Sequence, residues 1–168
     1  MHMKRVSLFL LIALLASCSN QHSKSSNKKY FTTWEHYLGD PERTHYSNLD
    51  QIDTANVANL KLAWSYKSGG LHEGRTTQIQ TSPLVIDGIL YGVNAAIELF
   101  AVDAKTGEEL WKFKPVSKDE SGLGMNRGLN YWKSNSDEPS RIFFTSGPQL
   151  YTINIETGKP ILSFGNNG

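Results

Sequence analysis

The sequence is poor in the features that fix many small proteins covalently or mark them electrostatically. Its 168 residues include one cysteine, Cys18, which excludes an internal disulfide and any metal cluster built on several thiolates. Neither charge is in excess: 17 basic residues face 16 acidic ones, for a net charge of +1. No basic run is interleaved with aromatics, so nucleic acid is not an expected partner. Nucleotide and zinc signatures are missing too. There is no phosphate loop and no His-Glu-x-x-His pair. Gly122, Gly124 and Gly128 fall in a strand context and make no dinucleotide fingerprint. The main apolar stretch, residues 6–15, is ten residues long and contains Ser7. A membrane-spanning helix needs roughly 20 apolar residues.

That short stretch explains the cysteine. It follows a basic start ending at Arg5 and closes in Leu15-Ala16-Ser17-Cys18, the pattern of a secretory signal. Leu-Ala-Ser-Cys resembles a bacterial lipobox, which makes residues 1–17 a lipoprotein signal peptide and Cys18 the lipidated first residue of the mature chain. Each buried methylene of an acyl chain contributes about 0.8 kcal/mol, so several chains anchor firmly. The expected location is the bacterial periplasm, as a membrane-anchored lipoprotein. Residues 18–29 read as the attachment site and a polar flexible tether, and residues 30–168 as the folded part.

The folded part is organised around Leu-Phe-Ala-Val-Asp-Ala-Lys-Thr-Gly-Glu-Glu-Leu-Trp-Lys-Phe, residues 99–113. It reads as strand, turn and strand: Asp103 can accept backbone N–H groups across the turn, and Gly107 can take the positive φ of a bulged loop. A shift of 51 residues lays Leu99 on Leu150, Asp103 on Asn154, Gly107 on Gly158 and Trp111 on Leu162. A period near 50 with four strands per unit is the signature of a β-propeller blade. One blade is expected from strands at 82–87, 88–93, 98–103 and 108–114. A second is expected from 127–132, 141–145, 149–154 and 160–164. Residues 60–66 alternate strictly and predict a further strand carrying Trp64, 47 residues before Trp111, as the last strand of a blade whose other strands do not precede it in this chain. Residues 53–60 predict a short helical turn capped by Asp53 or Thr54. Residues 34–47 predict an irregular aromatic lead-in. The fold class is therefore all-β, a partial propeller of two blades and one strand. Because four to eight blades close a ring, the chain is expected to be the amino-terminal part of a longer protein.

Seven pieces in this order resemble the pyrroloquinoline quinone (PQQ) dependent dehydrogenases. They are Trp34-Glu-His-Tyr-Leu-Gly-Asp40, Tyr46-Ser-Asn-Leu-Asp-Gln-Ile52, Asn59-Leu-Lys-Leu-Ala-Trp64, Thr81-Ser-Pro-Leu-Val-Ile-Asp-Gly88, the 101–111 blade motif, Asn126-Arg-Gly-Leu-Asn-Tyr-Trp132 and Thr157-Gly-Lys-Pro-Ile-Leu-Ser-Phe-Gly165. The resemblance implies an eight-bladed propeller holding PQQ and calcium, or a lanthanide in some branches. It implies oxidation of sugars or alcohols, with electrons passed to a quinone or cytochrome. Arg127 matches the family's cofactor-contacting arginine, and Gln80 a polar or acidic cofactor-site position. Each begins an innermost strand of consecutive blades, so both are expected at one rim of the central channel. PQQ bears carboxylates, which a guanidinium meets with a planar two-pronged donor. Trp132 and Asn130 read as core or channel lining, and His72, Glu73 and Arg75 as a solvated loop.

The family's metal ligands and catalytic carboxylate lie in later blades. No catalytic residue is expected here, and the chain alone is expected to be inactive. Alcohol-oxidising members often carry adjacent cysteines before the arginine, where this chain has Gly122-Leu-Gly-Met125. That points toward the sugar or polyol branch, which includes glucose dehydrogenase-like members. The competing reading is a non-catalytic propeller lipoprotein of the outer-membrane assembly type, which needs neither the arginine nor the aromatic lead-in.

Overall fold

The computed structural model describes residues 33–71, 77–116 and 125–168. Cys18, the tether, His72, Glu73, Arg75 and Gly122 to Gly124 lie outside the described residues. The described residues contain seven strands and one 3₁₀ turn, and no helix among them is long and apolar enough to cross a membrane.

The first sheet has four antiparallel strands in chain order: β1 (Leu84–Ile86), β2 (Ile89–Val93), β3 (Leu99–Asp103) and β4 (Glu109–Phe113). Ile86 pairs with Ile89 across a two-residue turn in which Asp87 and Gly88 both take positive φ, 48° and 81°. That is the turn whose twist matches antiparallel strands. The second turn also forms as its residues predict. Asp103 Oδ1 accepts the N–H groups of Lys105 and Thr106, Gly107 N–H donates to the Asp103 carbonyl, and Gly107 sits at φ 76°. A register shift between Ala101 and Val102 marks the bulge. The second sheet orders β5 (Asn130–Trp132), β6 (Arg141–Ser146) and β7 (Gln149–Asn154), again antiparallel in chain order. This is the all-β, blade-by-blade architecture of a partial β-propeller.

The sheets bury one continuous apolar core. Leu84, Ile86, Tyr91, Leu99 and Ala101 of the first sheet meet Leu129, Ile142, Phe144 and Ile153 of the second region. Phe113 of β4 makes edge contacts with Phe144 and Tyr151, with ring centroids 6.1 and 5.6 Å apart.

The two regions are pinned by a peg-and-socket joint that recurs. Trp111 Nε1–H donates to the Ile155 carbonyl at 3.0 Å, and its ring lies so close over Gly158 that a Cβ there would be 2.6 Å from Cδ2. Trp64 makes the same joint one unit earlier, donating to the Ala104 carbonyl at 3.1 Å with its ring over Gly107. The repeat in the sequence is the repeat of this joint.

Two of the expected strands carry no full ladder within the described residues. Residues 60–66 pair with no strand among the described residues, so their backbone groups lack the ladder partners that define a strand. Side chains hold the segment instead: the Trp64 peg, a Tyr66–Phe100 ring contact at 5.0 Å, and the Tyr66 hydroxyl donating to the Glu109 carboxylate. Residues 160–164 begin a fourth strand, with Pro160 bridged to Ile153 and Ile161 N–H donating to the Thr152 carbonyl, and then turn away. The chain folds back until the Gly168 carbonyl accepts the Thr152 N–H at 3.1 Å, which satisfies the donor a continuing strand would use. The helical turn is shorter than expected, Val57–Asn59, and Asp53 caps its approach by accepting the Ala55 and Asn56 N–H groups.

Candidate functional site

The inner strands begin side by side. Ser82, before β1, and Gly128, before β5, form a parallel bridge, and Ser82 N–H donates to the Arg127 carbonyl at 3.2 Å. Gln80 stands two residues before this bridge and Arg127 one residue before it, so the topology brings the two expected cofactor residues to one end of neighbouring inner strands. Both side chains are exposed. Asn130 and Trp132 are exposed as well, so neither belongs to the core; Trp132 carries the Arg141 guanidinium 4.6 Å above its ring.

Beneath the exposed guanidinium the backbone is tightly held. Asn126, 4% exposed, accepts the Gly128 N–H at 3.0 Å on its Oδ1 and donates from Nδ2 to the Thr145 carbonyl at 3.1 Å. The Thr81 hydroxyl donates to the Asn126 carbonyl at 2.8 Å and lies 3.3 Å from its Oδ1. A fixed backbone here presents a guanidinium with no acceptor among the described residues.

The aromatic lead-in belongs to this end of the molecule. Trp34 exchanges two 3.0 Å backbone hydrogen bonds with Val85, adding a short rung on the free edge of β1. The chain then turns tightly from His36 to Gly39, whose Cα faces the Trp34 ring. Tyr37 lies over Gly128, where a Cβ would come within 2.5 Å of its ring, and Arg43 stands 5.9 Å above the same ring. Asp40, 2% exposed, closes the segment: the Thr44 hydroxyl donates to it and holds its carboxyl below the usual carboxylate range. Sequence reasoning missed Tyr37, Asn126 and Thr81. The motif Asn-Arg-Gly contained one of them, but only tertiary contact reveals what the asparagine binds.

The donor set suits an anion. An exposed arginine and glutamine amide on a pinned rim match the carboxylates of a quinone cofactor such as PQQ, with Arg127 offering the paired N–H groups and Gln80 a single amide donor. Among the described residues no group of three His, Cys, Asp or Glu could hold a metal ion.

Fold and topology together define part of a β-propeller in which an exposed arginine and an exposed glutamine stand at one end of neighbouring inner strands. The family model for the PQQ glucose/ethanol/alcohol dehydrogenase β-propeller domain matches residues 34–168. Quinoprotein glucose dehydrogenase A of Acinetobacter calcoaceticus is 31% identical over 158 residues, covering 80% of this chain and 20% of that protein. The dehydrogenase subunit of the quinone alcohol dehydrogenase of Komagataeibacter europaeus is 35% identical over 136 residues, covering 77% and 17%. Among solved structures, quinohemoprotein alcohol dehydrogenase from Comamonas testosteroni superposes with a TM-score of 0.68 at 28% identity, covering 89% of this chain and 22% of that one. The chain belongs to the PQQ-dependent quinoprotein dehydrogenase family and spans about a fifth of the length of these curated relatives.

Proposed function

We propose that this chain is the amino-terminal part of a PQQ-dependent dehydrogenase that oxidises a sugar or alcohol hydroxyl and passes the electrons to a quinone or cytochrome. The observation that carries this reading is the rim itself, where two neighbouring inner strands start together and leave Gln80 and, on a backbone held by hydrogen bonds, Arg127 exposed at one end. When bound, PQQ supplies the carbonyl that accepts a hydride from the substrate C–H, with calcium polarising it. Arg127 binds and orients a cofactor carboxylate, Gln80 adds a neutral donor, and the Trp34 to Asp40 lead-in covers the rim beside them. Gly122-Leu-Gly-Met125 in place of a cysteine pair favours a sugar or polyol substrate; the relatives include both glucose and alcohol dehydrogenases.

The test is a PQQ titration of the full-length product of this gene, followed by intrinsic tryptophan fluorescence in the presence of calcium. Arg127→Ala is expected to weaken PQQ binding between about tenfold and a hundredfold, the range of one to two charge-assisted hydrogen bonds. Gln80→Ala is expected to cost less. Unchanged PQQ affinity in Arg127→Ala removes Arg127 from the cofactor site, and a folded wild-type product that neither binds PQQ nor oxidises any sugar or alcohol with a dye acceptor overturns the proposal in favour of a propeller scaffold.

We further propose that Cys18 carries the lipid anchor and that the protein is held at a membrane facing the periplasm. Metabolic labelling with a radioactive fatty acid is expected to mark the wild type, and Cys18→Ser is expected to lose the label and leave the membrane fraction. Label retained in Cys18→Ser sinks the anchor.

A further inference from the structure

We infer that Asn126 is a positioning residue for Arg127, acting with Thr81 as a clasp that fixes the main chain from which the guanidinium reaches its anionic ligand. This rests on the cofactor reading above. Three separate regions converge on the Asn126 side chain: the approach to β1 through the Thr81 hydroxyl, the approach to β5 through the Gly128 N–H, and β6 through the Thr145 carbonyl. Asn126 and Gly128 flank Arg127, and the Arg127 carbonyl is itself held by Ser82 N–H at 3.2 Å. The peptide units on both sides of Arg127 are thereby fixed, while its side chain alone is left in solvent.

The chemistry fits asparagine specifically. Its amide supplies an acceptor toward Gly128 N–H and a donor toward Thr145, and aspartate would lack the donor. At 4% exposure, water cannot readily replace either bond. With the main chain of Arg127 already fixed, only its side chain has to be ordered when the ligand arrives, which is how a residue that never touches the ligand raises affinity.

The test uses the full-length product and PQQ binding rather than turnover. Affinities are measured for Asn126→Ala, Arg127→Ala and the double variant, with Thr81→Val and Thr81→Ser as a second pair. Asn126→Ala is expected to weaken binding about tenfold, and the double variant to bind no more weakly than Arg127→Ala, because a clasp has nothing left to position once the guanidinium is gone. Thr81→Val is expected to weaken binding severalfold and Thr81→Ser, which keeps the hydroxyl, to restore it. If Asn126→Ala fails to fold, the Thr81 pair decides. Additive losses, or variants with lowered melting temperature and unchanged PQQ affinity, reduce the clasp to a structural tie and overturn the inference. Should Arg127→Ala itself leave PQQ binding unchanged, Arg127 leaves the cofactor site and the clasp falls with it.

Discussion

Gly158→Ala is expected to destabilise the protein by about 2–5 kcal/mol, from two effects of known size. Gly158 sits at φ 68°, where an L side chain costs roughly 1–2 kcal/mol. The new Cβ would also lie 2.6 Å from Trp111 Cδ2 and 2.7 Å from Cε3, an overpacking that typically costs about 1–3 kcal/mol. Neither atom can yield cheaply, because the indole is tethered by its hydrogen bond to the Ile155 carbonyl. Gly88→Ala is the comparison that separates the two effects. Gly88 has a similar φ of 81° but nothing within 4 Å of the added atom, so it should show the backbone cost alone. Gly107→Ala, under Trp64, should behave like Gly158→Ala. Urea denaturation of the three variants reads the differences directly. Equal losses at Gly88 and Gly158 would mean that the tryptophan joint carries no stability.

Asn94→Leu is expected to cost about 3–4 kcal/mol, although asparagine and leucine have similar shapes. Asn94 is 2% exposed and lies at the head of the β2 to β3 connection. Its Oδ1 accepts the N–H groups of Ala96 and Glu98, each at 2.9 Å, while Nδ2 donates to the Ser68 carbonyl at 2.9 Å and to Glu98 Oε2 at 2.7 Å. Leucine would leave all four partners without that amide; a fully buried polar group so stranded costs roughly 1–3 kcal/mol, and because Ser68, Ala96 and Glu98 are only half-buried, water offsets much of the loss and keeps the sum near the lower end. The Ser68 bond also ties residues 60–70 to the first sheet, so limited proteolysis should cut near Ser68 faster in the variant. A midpoint within about 0.5 kcal/mol of wild type in urea would show that solvent fills the site.

The two asparagines explain where sequence reading stops. Turns and strands were legible because their chemistry is local: Asp87-Gly88 and Asp103 to Gly107 carry their own φ preferences and acceptors, and both turns form as read. The period was legible because the turn from Asp103 to Gly107 recurs 51 residues on, from Asn154 to Gly158. The rim was legible at the level of topology, since Gln80 and Arg127 each precede an inner strand. Asn94 and Asn126 were not, because a buried asparagine and a surface one look alike until their partners at Ser68, Thr81 and Thr145 are in place. Alternation over residues 60–66 encodes a preference for extended chain, but a strand also needs a neighbour. Pro160 to Phe164 failed for a related reason, since the left-handed Gly165, Asn167 and Gly168 turn the chain back on β7. The pairing of Trp34 with Val85 was hidden because a single rung leaves no periodic trace.

The tryptophan joint has a consequence for how such a chain tolerates change. Trp64 and Trp111 are 47 residues apart, whereas the glycines that receive them, Gly107 and Gly158, are 51 apart. The connecting loops take up the mismatch, and both joints close with nearly the same bond, 3.1 and 3.0 Å. Blade spacing is thus gauged by an indole seated on a bare α-carbon rather than counted along the chain. The chain between has room to vary by at least the four residues that separate 47 from 51 without altering the joint.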